Sequence, residues 1–124
     1  IIAMSSVEGK AGKPGIAIYV AAKHAINGLV KSAAQEVGTL GITVNAICPG
    51  LIETDIVREV GPSAAEAMGL ESYEALLEVF AQGSAIKRPN EVTDVAEVCV
   101  LLASEAGAGI TGSLLSIDGG TSPY

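Results

Sequence analysis

The sequence predicts an α/β fold in which three parallel strands alternate with crossover helices, with a helical lid over about residues 51–88. Three observations carry this expectation. Apolar residues make up 49% of the 124-residue chain while aromatics make up 3%, so the interior is built from Ala, Val, Ile and Leu, as suits strands covered on both faces. Short β-branched runs alternate with longer stretches of 3.6-residue apolar period. Gly and Pro clusters separate the two kinds of segment.

Each element follows in order. Ile1 to Met4 reads as the end of a buried strand, stopped by Ser5 and Ser6. The stretch VEGKAGKPG is loop. From about Ile18 to Val37 the apolar positions Ile26, Leu29, Val30, Ala33, Ala34 and Val37 keep helical spacing, with Lys31, Ser32, Gln35 and Glu36 between them. Gly38 is placed to terminate this helix. GITVNAICPG, bounded by Gly41 and Pro49-Gly50, reads as a parallel strand buried on both sides, and the crossover that joins it to the first strand is expected to be right-handed. Residues 51–88 form the longest irregular part, in which SAAEAMGLESYEALLEVFAQG has helical character. Leu76, Leu77 and Phe80 group on one side there, and Glu66, Glu71, Glu74 and Glu78 form a solvated face. Asn90 can cap the next helix, whose apolar face is Val92, Val95, Ala96, Cys99, Val100, Leu102 and Ala103. TGSLLSIDGG supplies the last strand.

Seven basic against fourteen acidic residues leave a formal charge of −7, which opposes the phosphate neutralisation that nucleic-acid binding requires. Cys48 and Cys99 sit inside apolar runs and read as small buried thiols. With one histidine and no CxxC spacing, no metal site is expected. No apolar run reaches the length of a membrane span and no secretory leader is visible, so a soluble, cytoplasmic chain is expected. It opens on IIAMSS, already strand-like, and is therefore read as starting inside a domain, residues 1–124 being one partial unit.

Tyr19 and Lys23 lie four apart at the head of the first helix and so share one face. A free phenol titrates near pH 10 and handles protons poorly at neutrality. A neighbouring ammonium favours its anion and can tune it into a general acid/base. Ser6 stands at the carboxyl end of the first strand and Pro49-Gly50 at that of the second, and ligands of open α/β sheets bind outside those ends. The pair taken alone also fits an amphipathic core tyrosine and a lysine that snorkels to solvent. Gly9, Gly12 and Gly15 run G-x-x-G-x-x-G but lack the G-x-G that lets backbone approach a pyrophosphate. His24 points about 100° from Lys23 and no G-x-S-x-G elbow exists, so a Ser-His-Asp hydrolase is poorly supported.

These segments together carry a resemblance. MSSVEGKAGKPGIAIYVAAK, with Ser6 thirteen residues before Tyr19, resembles the active-site segment of short-chain dehydrogenases/reductases. GITVNAICPGLIETD is similar to that family's strand and Pro-Gly turn, and RPNEVTDVAEVCVLLASEAGAGITGSLLSIDGG to its C-terminal helix and closing strand. The resemblance implies the C-terminal catalytic half of a doubly wound, Rossmann-type sheet, the glycine-rich cofactor half being absent. It implies NAD or NADP as cofactor and a small secondary alcohol or ketone as substrate, 3-oxoacyl-carrier-protein reductases and hydroxy-acid dehydrogenases being among the relatives.

By position, Tyr19 exchanges the proton, Lys23 assists it and binds the nicotinamide ribose, and Ser6 hydrogen-bonds the reacting oxygen. The backbone around Ile52 and the Thr54 hydroxyl orient the carboxamide, while Pro49 and Gly50 shape the wall, Gly50 on the substrate side as well. Ser5 competes with Ser6, and the thirteen-residue separation favours Ser6. Ala22 stands where many relatives have serine. Residues 51–88 correspond to the substrate cover. A homotetramer or homodimer is implied for the full-length protein, through the first helix and the last strand. The rival expectation is a truncated, catalytically incompetent module that acts, if at all, through a partner.

Overall fold

Parallel strands need crossover connections of a dozen or more residues, and two such connections organise this chain. The computed structural model describes residues 1–122. Strands β1 (Ile2–Met4), β2 (Asn45–Pro49) and β3 (Leu114–Ile117) form one parallel sheet in the order β1-β2-β3. Ile2 pairs with Asn45 and Met4 with Ile47, then Ala46 with Leu114 and Pro49 with Ile117. Helix α1 (Ala17–Val37) connects β1 to β2; α2 (Asp55–Ala67), α3 (Tyr73–Gly83) and α4 (Val92–Ala103) connect β2 to β3.

Side chains alternate across a strand, and the core divides accordingly. Ala46 packs with Val30, Ala34 and Val44, against Ala3 and Leu114, on the α1 face. Its neighbour Ile47 packs with Val95 and Leu102, against Ile2 and Leu115, on the α4 face. The sheet advances one way while its crossovers lie on opposite faces, so the two have opposite hands. The right-handed rule thus holds for one of them only. Asn45 is fully buried within β2 and its amide is satisfied: Nδ2 donates to the Ile110 carbonyl at 2.6 Å, and Oδ1 accepts from the Ser113 N–H at 3.0 Å. Lys10 Nζ reaches β3, donating to the Leu114 carbonyl at 2.9 Å and to Ser116 Oγ at 2.8 Å.

Several expectations are corrected. The first helix ends at Val37 with Gly38 as its C-cap, as expected, but the chain does not turn away there: a 3₁₀ turn follows to Leu40 and left-handed Gly41 (φ 74°) closes it. Residues 51–88 hold two helices rather than one. Thr54 caps α2, its Oγ1 accepting from the Val57 N–H, and exposed Pro62 sits inside α2. The cap of α4 is Glu91, not Asn90: the Asp94 carboxylate accepts from the Glu91 N–H at 2.9 Å, while Asn90 donates to that carboxylate at 3.4 Å. Leu29, Val92 and Val100 were expected on buried faces and are instead 68%, 59% and 69% exposed; Ala96 and Ala103 are exposed too. Cys48 is buried but Cys99 only half-buried, and both are free thiols. Among the described residues no helix is long and apolar enough to cross a membrane.

Candidate functional site

The carboxyl ends of β1 and β2 meet the first turn of α1. Ser5 continues the ladder, its N–H donating to the Ile47 carbonyl at 2.8 Å, and its Oγ turns toward α1, donating to the Lys23 carbonyl at 3.3 Å. Ser6 faces the other way, as strand alternation demands. Its Oγ accepts from the Glu8 N–H at 3.1 Å, capping the 3₁₀ turn Val7–Gly9. One of the two lone pairs of that hydroxyl is used, and its proton has no acceptor among the described residues.

The turn is seated on α1 by two contacts. Asn27, buried on the inner stripe of the helix, donates through Nδ2 to the Gly9 carbonyl at 2.8 Å. Gly9 lies so close to α1 that a Cβ built there would stand 2.9 Å from the Lys23 carbonyl oxygen and 2.7 Å from Asn27 Nδ2. Lys23 ties the same helix to β1, its Nζ donating to the Met4 carbonyl at 3.0 Å. That ammonium stands 5.4 Å from the Tyr19 ring centroid. Tyr19 is 45% exposed, and its hydroxyl has no hydrogen-bond partner among the described residues.

Ser6, Tyr19 and Gly50 line one cavity of about 250 Å³, closed on the lid side by Leu51 and Phe80. Ser5, Lys23, Pro49, Ile52 and Thr54 are not among its lining residues. Lys23 stands beside Tyr19 on the helix; Pro49 closes β2; Ile52 pairs in parallel with Asn90; Thr54 is engaged as the cap of α2. The structure therefore brings together two hydroxyls and the Pro-Gly turn, with the ammonium on the adjoining helix face.

Four charged groups reach the cavity that the sequence did not single out: Glu8, Lys13, Arg88 and Asp118. Lys13 Nζ is 3.4 Å from Glu8 Oε1 and lies over the Phe80 ring, 4.6 Å from its centroid. Arg88 Nη1 is 3.6 Å from Asp94 Oδ2 and donates to the Pro89 carbonyl at 3.0 Å. The Glu91 N–H holds the Asp94 carboxyl below the usual carboxylate range against the opposing effect of burial, with further help from Asn90 and Arg88. Burial alone would raise the Asp118 carboxyl, but hydrogen bonds from Ser122 and Gly120, and the charge of Lys10, outweigh it and hold the group low. Its Oδ2 accepts from the Ser122 N–H at 2.7 Å and Oγ at 2.6 Å, and its Oδ1 from the Gly120 N–H at 3.0 Å.

Two of the missed residues left a signal. Asn27 is a polar residue on the stripe that also buries Val30 and Ala34, and a buried polar group must serve a partner. Asp118 precedes Gly119-Gly120, the composition of a side-chain-held turn. Lys13 and Arg88 left none, since the loop and the lid bring them in.

A parallel sheet with hydroxyls gathered outside its carboxyl ends, and a helical cover over them, defines the class of doubly wound α/β proteins that bind ligands at that crevice. Comparison with known proteins makes the class specific. Residues 1–122 match the family described as "Enoyl-(Acyl carrier protein) reductase". The chain is 40% identical over 120 residues to a D-beta-hydroxybutyrate dehydrogenase of Rhizobium meliloti, an alignment covering 97% of this chain and 46% of that protein. It superposes on the actinorhodin polyketide ketoreductase, solved with NADPH, at a TM-score of 0.93 and 31% identity, over 100% of this chain and 47% of the other. A 4-hydroxyisoleucine dehydrogenase mutant, solved with NADH and succinate, superposes at 0.84 and 33% identity, over 100% and 47%. The chain belongs to the short-chain dehydrogenase/reductase family, matching its C-terminal region, and spans about half the length of the curated relatives it matches.

Proposed function

We propose that this chain supplies the proton-handling half of an NAD(P)-dependent oxidoreductase that interconverts a small secondary alcohol and its ketone. The observation that carries the reading is the opening of the Ser6 and Tyr19 hydroxyls onto one cavity, Ser6 held by the Glu8 N–H and Tyr19 without a hydrogen-bond partner among the described residues. Ser6 can donate to a carbonyl oxygen, and Tyr19 can give that oxygen its proton. The Lys23 ammonium stands beside the ring, 5.4 Å from its centroid. In the oxidative direction the Tyr19 phenolate takes the proton from the alcohol.

The donor set fits a nicotinamide ribose. Lys23 commits one of its three N–H donors to the Met4 carbonyl, which leaves two for a sugar diol beside the Tyr19 hydroxyl. Tyr19 and Lys23 would hold the ribose, and Pro49, Gly50, Ile52 and Thr54 would surround the carboxamide. When bound, the cofactor supplies or takes up hydride at the nicotinamide ring. The relatives solved with NADPH and with NADH support either form. In this reading residues 1–124 complete a domain whose glycine-rich nucleotide turn lies on the N-terminal side, residues 51–88 cover the substrate, and the full-length protein is a homodimer or homotetramer.

Tyr19→Phe in the full-length protein tests the mechanism. Turnover is expected to fall by about 10²–10⁴-fold, the usual contribution of a positioned acid/base, while titration with NAD(P)H shows near wild-type affinity. Unchanged turnover would remove Tyr19 from the mechanism.

A further inference from the structure

The electrostatics of the cavity say which substrates it admits. Two cations and two carboxylates line it, and each of the four already has a partner of opposite charge or a set of hydrogen-bond donors. Lys13 is held from two sides, by Glu8 at 3.4 Å and by the face of Phe80 at 4.6 Å. Arg88 is turned to Asp94 at 3.6 Å and to the Pro89 carbonyl. Asp118 is occupied by N–H and O–H donors from Gly120 and Ser122. The Glu8 carboxylate is only 17% exposed and follows Ser6 by two residues, so its charge is fixed close to the hydroxyl that meets the reacting oxygen.

Among the described residues, each cation lining this cavity is already paired with a carboxylate. At the Lys13 ammonium an entering carboxylate would compete with Glu8, a mostly buried carboxylate that already neutralises that charge. A substrate carboxylate would also meet the like charge of Glu8. The remaining wall is apolar, with Ile16, Leu51 and Phe80, and the cavity is below the roughly 300–1,000 Å³ typical of sites for drug-sized ligands.

We infer that the substrate is a small, uncharged hydroxy- or ketone compound, and that Glu8, by neutralising Lys13, is the residue that excludes carboxylate-bearing substrates. The inference rests on the oxidoreductase reading above and adds the charge of the substrate to it. It also separates this protein from its relative named for hydroxybutyrate, a carboxylate.

The test pairs two probes of equal carbon count, neutral 3-hydroxybutan-2-one and anionic 3-hydroxybutanoate, on the full-length protein with NAD(P)⁺. Steady-state kcat/KM is measured for each, and calorimetric titration gives each dissociation constant independently of turnover. The neutral probe is expected to be preferred at least tenfold in both readouts. In Glu8→Gln, which keeps the backbone N–H that Ser6 accepts, the neutral-to-anion ratio should fall at least fivefold; in Lys13→Met, which leaves Glu8 unpaired, it should rise. Equal or tighter binding of 3-hydroxybutanoate by the wild type overturns the inference, as does a Glu8→Gln ratio equal to wild type. Failure of the catalytic reading looks different: the neutral probe would bind selectively with no turnover, or with turnover unaffected by Tyr19→Phe.

Discussion

Gly9→Ala is the sharpest probe of how the site is held, because one methyl group is placed where three atoms already stand. The added Cβ would lie 2.7 Å from Asn27 Nδ2, 2.7 Å from Ser5 Oγ and 2.9 Å from the Lys23 carbonyl oxygen, against an optimal carbon separation of roughly 3.5–4.0 Å. Asn27 and Ser5 could turn aside, but the Lys23 oxygen belongs to the α1 backbone. The 3₁₀ turn must therefore retreat by about an ångström. Overpacking of this kind costs about 1–3 kcal/mol. Stretching the Asn27–Gly9 hydrogen bond leaves a buried amide short of its partner, a further loss of about 1–3 kcal/mol. A total of about 2–6 kcal/mol would move a urea midpoint down by roughly 1–4 M at a slope of about 1.5–2 kcal/mol/M. Ser6 rides on the displaced turn while Tyr19 stays on α1, and misplacement on the order of 1 Å can cost about 10²-fold in rate. Gly12→Ala is the control, since a Cβ there meets nothing within 4 Å. Urea unfolding and kcat/KM are measured side by side for both variants. Were Gly9→Ala to match Gly12→Ala in both, the seating of the turn on α1 would not be what fixes Ser6.

Other expected outcomes follow from single contacts. Asp118→Asn removes a carboxylate that accepts three hydrogen bonds and should lower stability at pH 7 by about 1–3 kcal/mol. Because the folded carboxyl is held below its ordinary value, that stabilisation is present above roughly pH 4 and lost as pH falls through the lower folded value; acid unfolding curves of wild type and variant should converge there. Thr54→Ala removes the cap of α2 and should cost about 0.5–2 kcal/mol of helix stability, seen as faster hydrogen exchange confined to residues 55–67. Ile18 and Leu29 leave apolar side chains 89% and 68% exposed on α1. Leu29→Lys should shift the full-length protein toward smaller assemblies in light scattering, and an unchanged mass would move the contact elsewhere.

The sequence displayed the framework better than its covering. The 3.6-residue stripe through Ile26, Val30 and Ala34 obeys a rule intrinsic to the segment and gave α1 nearly to the residue; the run before Pro49 located β2, but the strand begins only at Asn45, because Val44 bonds to Thr111 Oγ1 and to the Gly112 N–H instead. Helix α2 was hidden because Gly61 and Pro62 are loop punctuation in most settings; here Pro62 is on the solvent side, and Gly61 admits the Tyr73 ring so closely that a Cβ would collide with it. Leu29, Val92 and Val100 keep helical spacing with buried neighbours, and spacing does not reveal how wide a stripe the partner surface covers. Ser5 and Ser6 are chemically identical, and only the alternation of the strand end separates the one turned to α1 from the one on the cavity. The spacing of Gly9, Gly12 and Gly15 imitated a phosphate loop. In the fold one of the three is demanded by close packing, one lies in open space and one takes a left-handed turn at φ 85°. The charges that bias the cavity come from a loop and a lid connection, whose docking has no periodic signature.

Lys10 has a consequence for how this molecule meets others. Ser113 and Ile117 send their carbonyls to β2, so the intervening Leu114 carbonyl points to the far flank, where the Lys10 ammonium donates to it and to Ser116 Oγ. A foreign chain trying to extend the ladder there would first have to evict a cation from its acceptor, a recognised way of stopping runaway strand-to-strand polymerisation. At that position the flank offers a neighbour no bare main-chain acceptor.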